Sequence, residues 1–167
     1  ELFAYIDFVA EFTNKPITCA ETWDVWERIP DLAKHVDFIT IHILPYWEKV
    51  PIDRFNDFII EKYTLVEKLF PYTKINIGET GWPSHGYNNN NAVPSLKNQA
   101  VAIRGFINLA SEKGWDYNIV EAFDQQWKGY DEGNVGQYWG IFTSDRELKF
   151  YLSGDIELNQ YWLYQMI

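Results

Sequence analysis

Four short apolar segments, each separated from the next by a stretch of helical periodicity, constrain this chain more than any other feature. Ile17-Thr18-Cys19-Ala20, Asp37-Phe38-Ile39-Thr40-Ile41-His42-Ile43, Lys74-Ile75-Asn76-Ile77-Gly78 and Tyr117-Asn118-Ile119-Val120 read as buried strands. Helical spacing covers residues 1–14, with Leu2, Tyr5, Ile6, Val9 and Phe12 on one face and Asn14-Lys15-Pro16 as the stop. It returns over 23–36, interrupted at Pro30, and over 52–70, where Ile52, Phe55, Ile59, Val66 and Leu69 make the inner stripe. A last helix is predicted from Ser95, a capping hydroxyl, to Lys113, with Gly114 closing it. Strands that alternate with helices make a parallel sheet, because each return crossover runs through a helix on the sheet face. No Gly-rich phosphate loop follows a strand, so the dinucleotide-binding version of this pattern lacks its fingerprint. The pattern fits the α/β class of the (β/α)8 TIM barrel, which takes about 250 residues when complete. Only four strands fit into 167 residues, so the expected architecture is a half-barrel holding the last four strands. One domain is expected over 1–155, with 156–167 as a C-terminal extension.

Composition narrows the ligand. The net charge is -10, which disfavours nucleic acid and anionic membrane surfaces, since both need clustered Lys and Arg. Aromatic residues make up 18% of the chain, more than a core of this size needs, and point to a cleft lined with rings. A neutral polymer suits such a cleft. The single cysteine, Cys19, excludes an intrachain disulfide and reads as a small buried hydrophobe. The three histidines lack metal-ligand spacing, so neither a metal nor an organic cofactor is expected. The apolar stretch Leu158–Ile167 is far shorter than the roughly 20 residues of a membrane span; it reads as a last packing helix or as the lead into a longer segment.

In barrels of this kind the reactive groups stand at the C-terminal ends of the strands. The residues at or after those ends are Glu21, Trp23 and Trp26, then His42, Tyr46 and Trp47, then Glu79, Thr80 and Trp82, and finally Glu121, Asp124, Gln125, Trp127 and Lys128. Carboxylates can attack or protonate a glycosidic bond, and rings stack on the apolar faces of sugars, so this inventory predicts a carbohydrate site. Tyr46, Trp47, Trp82, Trp127 and Trp139 are the stacking candidates, with Tyr46 and Trp127 the best placed. His42, inside a strand, reads as a core histidine.

Four ordered motifs carry a family resemblance that spans nearly the whole chain. Ile77-Gly78-Glu79-Thr80-Gly81-Trp82-Pro83-Ser84 resembles the nucleophile segment of glycoside hydrolase family 17. Glu121-Ala122-Phe123-Asp124-Gln125-Gln126-Trp127-Lys128 is similar to that family's last-strand motif. Ile41-His42-Ile43-Leu44-Pro45-Tyr46-Trp47-Glu48 and Trp139-Gly140-Ile141-Phe142 complete the set, with a flavour of the bacterial members. The resemblance implies the C-terminal half of a retaining catalytic barrel that hydrolyses or transfers β-1,3-glucan. It implies Glu79 as nucleophile, and Lys128 matches its last-strand motif; the residues expected to bind substrate are Tyr46, Trp47, Trp82, Glu121, Gln125, Trp127 and Lys128. It also implies a location in the cell envelope, the periplasm or outside the cell.

The family's general acid/base lies in an Asn-Glu pair that this chain does not contain. Glu21 and Glu121 are the strand-end alternatives. Gln125 and Gly136 stand where related enzymes carry Glu. The acid is therefore expected outside the chain. The rival expectations are a non-catalytic carbohydrate-binding half-barrel and an inactive fragment. The open edges of a half-barrel further predict self-association.

Overall fold

The computed structural model describes residues 1–154. The extension predicted over 156–167, with its apolar run from Leu158, lies outside them.

Four strands form one parallel sheet in the order β1-β2-β3-β4. They are β1 (Ala20–Thr22), β2 (Ile39–His42), β3 (Ile75–Thr80) and β4 (Asp116–Ile119). The helices are α1 (Leu2–Ala10), α2 (Trp23–Arg28), α3 (Phe55–Leu69) and α4 (Leu96–Lys113). The sequential strand order confirms the α/β half-barrel reading, because strictly neighbouring parallel strands joined by helices are the repeat of such a barrel.

Local chemistry explains most element ends. Pro30 stops α2 and opens a 3-10 turn over Pro30–His35, as its missing N–H requires. Ser95 Oγ accepts the Asn98 N–H at 3.0 Å and caps α4, an interaction worth about 1 kcal/mol. Gly114 ends α4 in the left-handed region, at φ 67°. The first strand forms its ladder three residues later than expected. Ile17 and Thr18 run beside the start of β2, but they are tied there partly by side chains: Ile17 N–H donates to Asp37 Oδ2 and Thr18 Oγ1 donates to the Phe38 carbonyl.

The core lies between the sheet and helices α2 to α4. Ile39, Ile41, Ile75 and Ile77 of the strands pack with Trp26, Leu32, Phe55, Ile59, Val66 and Phe106. Each such side chain gains about 1.5–3 kcal/mol from leaving water. Leu69 is exposed rather than inward, and Tyr63, four residues after Ile59, takes the inner position. Cys19 is half-buried against this core, and burial together with Glu21 pushes its thiol up, which disfavours the thiolate.

α1 departs from expectation. It stops at Ala10, and only Ile6 of its apolar face is buried. Leu2, Tyr5, Phe8 and Val9 of the helix, and Phe12 just beyond it, are exposed, because among the described residues its main packing partner is a single element. That neighbour is the Pro30–His35 turn, where Phe3 stacks on His35 and Asp7 Oδ1 pairs with His35 Nδ1 at 2.7 Å.

Candidate active site

A regular strand alternates its side chains between faces, so Ile75, Ile77 and Glu79 would share one face. Ile75 and Ile77 are buried against the helices, and a charged Glu79 beside them would be costly. The ladder avoids this. The β2–β3 register slips between Ile41 and His42, so His42 pairs with Glu79, and the β3–β4 register slips between Ile77 and Thr80. Such an irregularity re-aims the chain. Thr80 becomes the fully buried residue, while the Glu79 side chain is 42% exposed. Its Oε2 lies 3.4 Å from His42 Nδ1. The sequence reading placed His42 as a core histidine; it is a half-buried neighbour of Glu79 instead.

The end of β4 gathers three of the predicted residues. Glu121 Oε2 accepts hydrogen bonds from Gln125 Nε2 and from Lys128 Nζ, the latter at 2.9 Å. Glu121 and Lys128 side chains are only 13% and 18% exposed, so this pair is shielded from bulk water. Glu121 Oε1 is itself buried and has no hydrogen-bond partner among the described residues.

The two strand ends are held together. Val120 N–H donates to the Thr80 carbonyl at 2.9 Å, and Gly81 sits directly against the Val120 carbonyl. Glu21, at the far side of the sheet, pairs in register with Ile41 and joins neither group.

The rings divide by burial. Trp127 is 59% exposed and Trp47 37%, so both can offer a face to a sugar. Lys128 Nζ lies 5.9 Å from the Trp127 ring centroid. Tyr46 and Trp82 are fully buried, which corrects the expectation that they stack on substrate. They meet edge-on at 6.0 Å within a cluster that includes Trp139. Their polar tips are used inside the protein: Tyr46 OH donates to the Tyr87 carbonyl, and Trp82 Nε1 donates to that of Val93. Burial pushes the Tyr46 hydroxyl well above its usual range, so it stays protonated. Trp139 is 2% exposed and backs Trp47 in a stacked pair at 5.9 Å. A residue directly after a strand end points inward as readily as outward, and its rank in sequence did not separate these rings.

Two groups near the rim had no sequence signal. Glu132 is half-buried on the turn after Lys128. Burial pushes its carboxyl up, Lys128 opposes this, and the charges of Glu121 and Glu79 add to it. Lys149 joins Asp124 and Ser84 behind the rim. Among the described residues no three His, Cys, Asp or Glu side chains are placed to hold a metal ion.

A family model described as the BtgE/BtgC glycoside hydrolase domain matches residues 4–140. The glucan 1,3-beta-glucosidase of Saccharomyces cerevisiae is 28% identical over 156 residues, covering 86% of this chain and 49% of that protein. The probable beta-glucosidase btgE of Aspergillus fumigatus is 31% identical over 137 residues, covering 81% of this chain and 24% of that protein. Among solved structures, the family 17 beta-1,3-glucanosyltransferase of Rhizomucor miehei superposes with a TM-score of 0.80 at 28% identity, covering 89% of this chain and 55% of the enzyme. An active-site mutant of that enzyme in complex with laminaritriose superposes equally well. This chain therefore spans about half the length of the yeast relative and of the Rhizomucor enzyme. The four-stranded sheet corresponds to about half of a TIM barrel. These relatives are fungal, and the bacterial flavour expected from the motifs finds no support among them.

Proposed function

Because the chain belongs to the BtgE/BtgC glycoside hydrolase family, we propose that it carries the nucleophile-bearing half of a retaining enzyme that hydrolyses or transfers β-1,3-glucan. The observation that carries this reading is Glu79. It stands in the most specific motif, and the ladder slip turns it from the core to the rim.

In the first step a Glu79 carboxylate oxygen bonds to the anomeric carbon as the glycosidic C–O bond breaks. The leaving oxygen takes a proton from a general acid supplied from outside residues 1–154. In the second step water or a sugar hydroxyl attacks the same carbon, gives its proton to that group, and releases Glu79 as a carboxylate. His42 faces Glu79 and restricts where its carboxylate points. Glu121 holds Gln125 and Lys128 through Oε2, and these two side chains meet the sugar hydroxyls at the rim. Trp127 and Trp47 supply stacking faces. A neutral glucan tolerates the carboxylates of this rim and the net charge of -10.

Residues 1–155 are assigned to this half-barrel and 156–167 to an extension. A retaining pair stands about 5–5.5 Å apart, so the outside acid must come within that distance of Glu79. A carbohydrate-binding half-barrel is the second reading. It is favoured by Glu121, whose Oε2 is already committed to two donors and is poorly suited to deliver a proton.

The test is a mass-spectrometric time course of the full-length protein with β-1,3-gluco-oligosaccharides, beside Glu79→Gln. Oligomers that shorten or lengthen, with the rate falling at least about a thousandfold in the variant, support the nucleophile role. Undiminished products from Glu79→Gln overturn it. Unchanged oligomers that still bind both proteins favour the binding reading.

A further inference from the structure

The chain turns back after the rim. Phe142 bridges to Leu148, Thr143 N–H donates to the Glu147 carbonyl, and Lys149 N–H donates to the Ile141 carbonyl. This turn sends the Lys149 side chain inward, where it is 7% exposed beside an equally buried Asp124. Its ammonium reaches Asp124 Oδ1 at 2.6 Å, Ser84 Oγ at 2.9 Å and the Tyr138 carbonyl at 3.5 Å. A lysine ammonium has three donors, and all three are engaged.

Each partner belongs to a different part of the rim. Ser84 ends the segment that begins at Ile77 and contains Glu79; its own N–H also donates to the Tyr138 carbonyl. Asp124 lies between Glu121 and Gln125, and its Oδ1 accepts the Gly140 N–H as well. Residues 138–140 are further held by Gln99 Nε2, which donates to their carbonyls. Lys149 thus ties Ser84 of the loop after β3 to Asp124 of the loop after β4, beside the direct contacts of Ser84 Oγ with the Tyr138 carbonyl and of the Tyr87 N–H with Asn134 Oδ1. Burial pushes its ammonium down, and Asp124 holds it up. A buried ion pair is a poor source of stability compared with apolar packing of the same volume. Its directional bonds do something packing does not: they set the angle and spacing of two loops.

We infer that Lys149 is a positioning residue for the candidate active site, holding the Glu79 loop and the Glu121–Gln125–Lys128 loop in one spacing through Ser84, Tyr138 and Asp124. The assignment rests on the function proposed above, because the spacing matters to catalysis only if Glu79 and the β4 loop act on one sugar.

The test uses the full-length protein with Lys149→Met, Lys149→Arg and the pair Lys149→Met/Asp124→Asn. The paired variant removes both charges, so it keeps the test open where Lys149→Met alone fails to fold around an unpaired Asp124. Amide hydrogen exchange at Ser84 and Gly140 is read first, independently of activity. Exchange there is expected to rise at least about tenfold in the folded variants. Turnover at saturating β-1,3-gluco-oligosaccharide is expected to fall at least about tenfold with KM changed less than about threefold, and Lys149→Arg to recover part of it. Unchanged exchange in a folded variant overturns the tie between the loops. Raised exchange with wild-type turnover overturns the positioning role and leaves the Glu79 reading intact. The Glu79 reading itself is judged separately, by Glu79→Gln in the otherwise unaltered chain.

Discussion

Gly81→Ala probes how closely the two site-bearing strand ends are coupled. Gly81 follows Glu79 by two residues and packs on the residue just before Glu121. A β-carbon there would lie 2.2 Å from the Val120 carbonyl oxygen and 3.4 Å from Trp139 Cε3. The close neighbour is backbone, so no rotamer change relieves it. Opening the contact from 2.2 Å to at least 3.0 Å separates the ends of β3 and β4 by about 0.8 Å. That movement works against the Val120 N–H bond to the Thr80 carbonyl. Overpacking of this kind costs about 1–3 kcal/mol. At this size each kcal/mol lowers the melting midpoint by about 2–4 °C, which a thermal melt followed by circular dichroism resolves. A displacement near 1 Å between reacting groups costs on the order of a hundredfold in rate. The expected result is a modest fall in midpoint with a much larger fall in oligosaccharide turnover. A variant with unaltered midpoint and full turnover would refute the claim that the two strand ends are rigidly coupled.

Glu132→Gln tests the electrostatics of the rim. Burial raises the folded-state Glu132 carboxyl above its ordinary 4.5, so the folded protein holds that proton more tightly than the unfolded chain. Its contribution to stability is present below 4.5 and is lost as pH rises through the raised folded value. Relative to the parent, Glu132→Gln should therefore gain stability as pH rises above 4.5 and through the raised folded value; parallel midpoint curves on the rising side of 4.5 would contradict the assignment. Self-association is predicted from the open edges of the half-barrel, and the exposed apolar residues of and just after α1 offer a second surface for it. Phe8→Ser/Phe12→Ser should then shift sedimentation of the 167-residue chain toward monomer, and an unchanged distribution would remove α1 from that contact.

Much of the site was legible because its signals are local. Ser95 and Gly114 act within one helical turn, so the ends of α4 followed from residue chemistry. Glu121, Gln125 and Lys128 lie within eight residues of one another, and a single loop after β4 suffices to bring them together. The stacking rings were less legible. Tyr46 and Trp47 are adjacent in sequence, yet one is fully buried and the other 37% exposed, since each ring's fate depends on Trp82 and Trp139 from distant segments. The α1 face misled for a similar reason. Periodicity marks which side of a helix is apolar, but burial needs a surface to cover it.

The amino-acid sequence alone determined the alternation of strand and helix, the parallel sheet in sequential order, and the motif that marks Glu79. These follow from periodicity, Pro, Gly and capping residues, which act over a few positions. Only the tertiary structure decided that Glu79 faces the rim. By strand parity it belongs with Ile75 and Ile77; the slipped ladders against β2 and β4 reverse that parity and bury Thr80 in its stead. Only the tertiary structure, likewise, brought Lys149 to Ser84, 65 residues earlier in the chain. Register and long-range contact depend on the pairing partner rather than on the strand itself, so no local pattern encodes them.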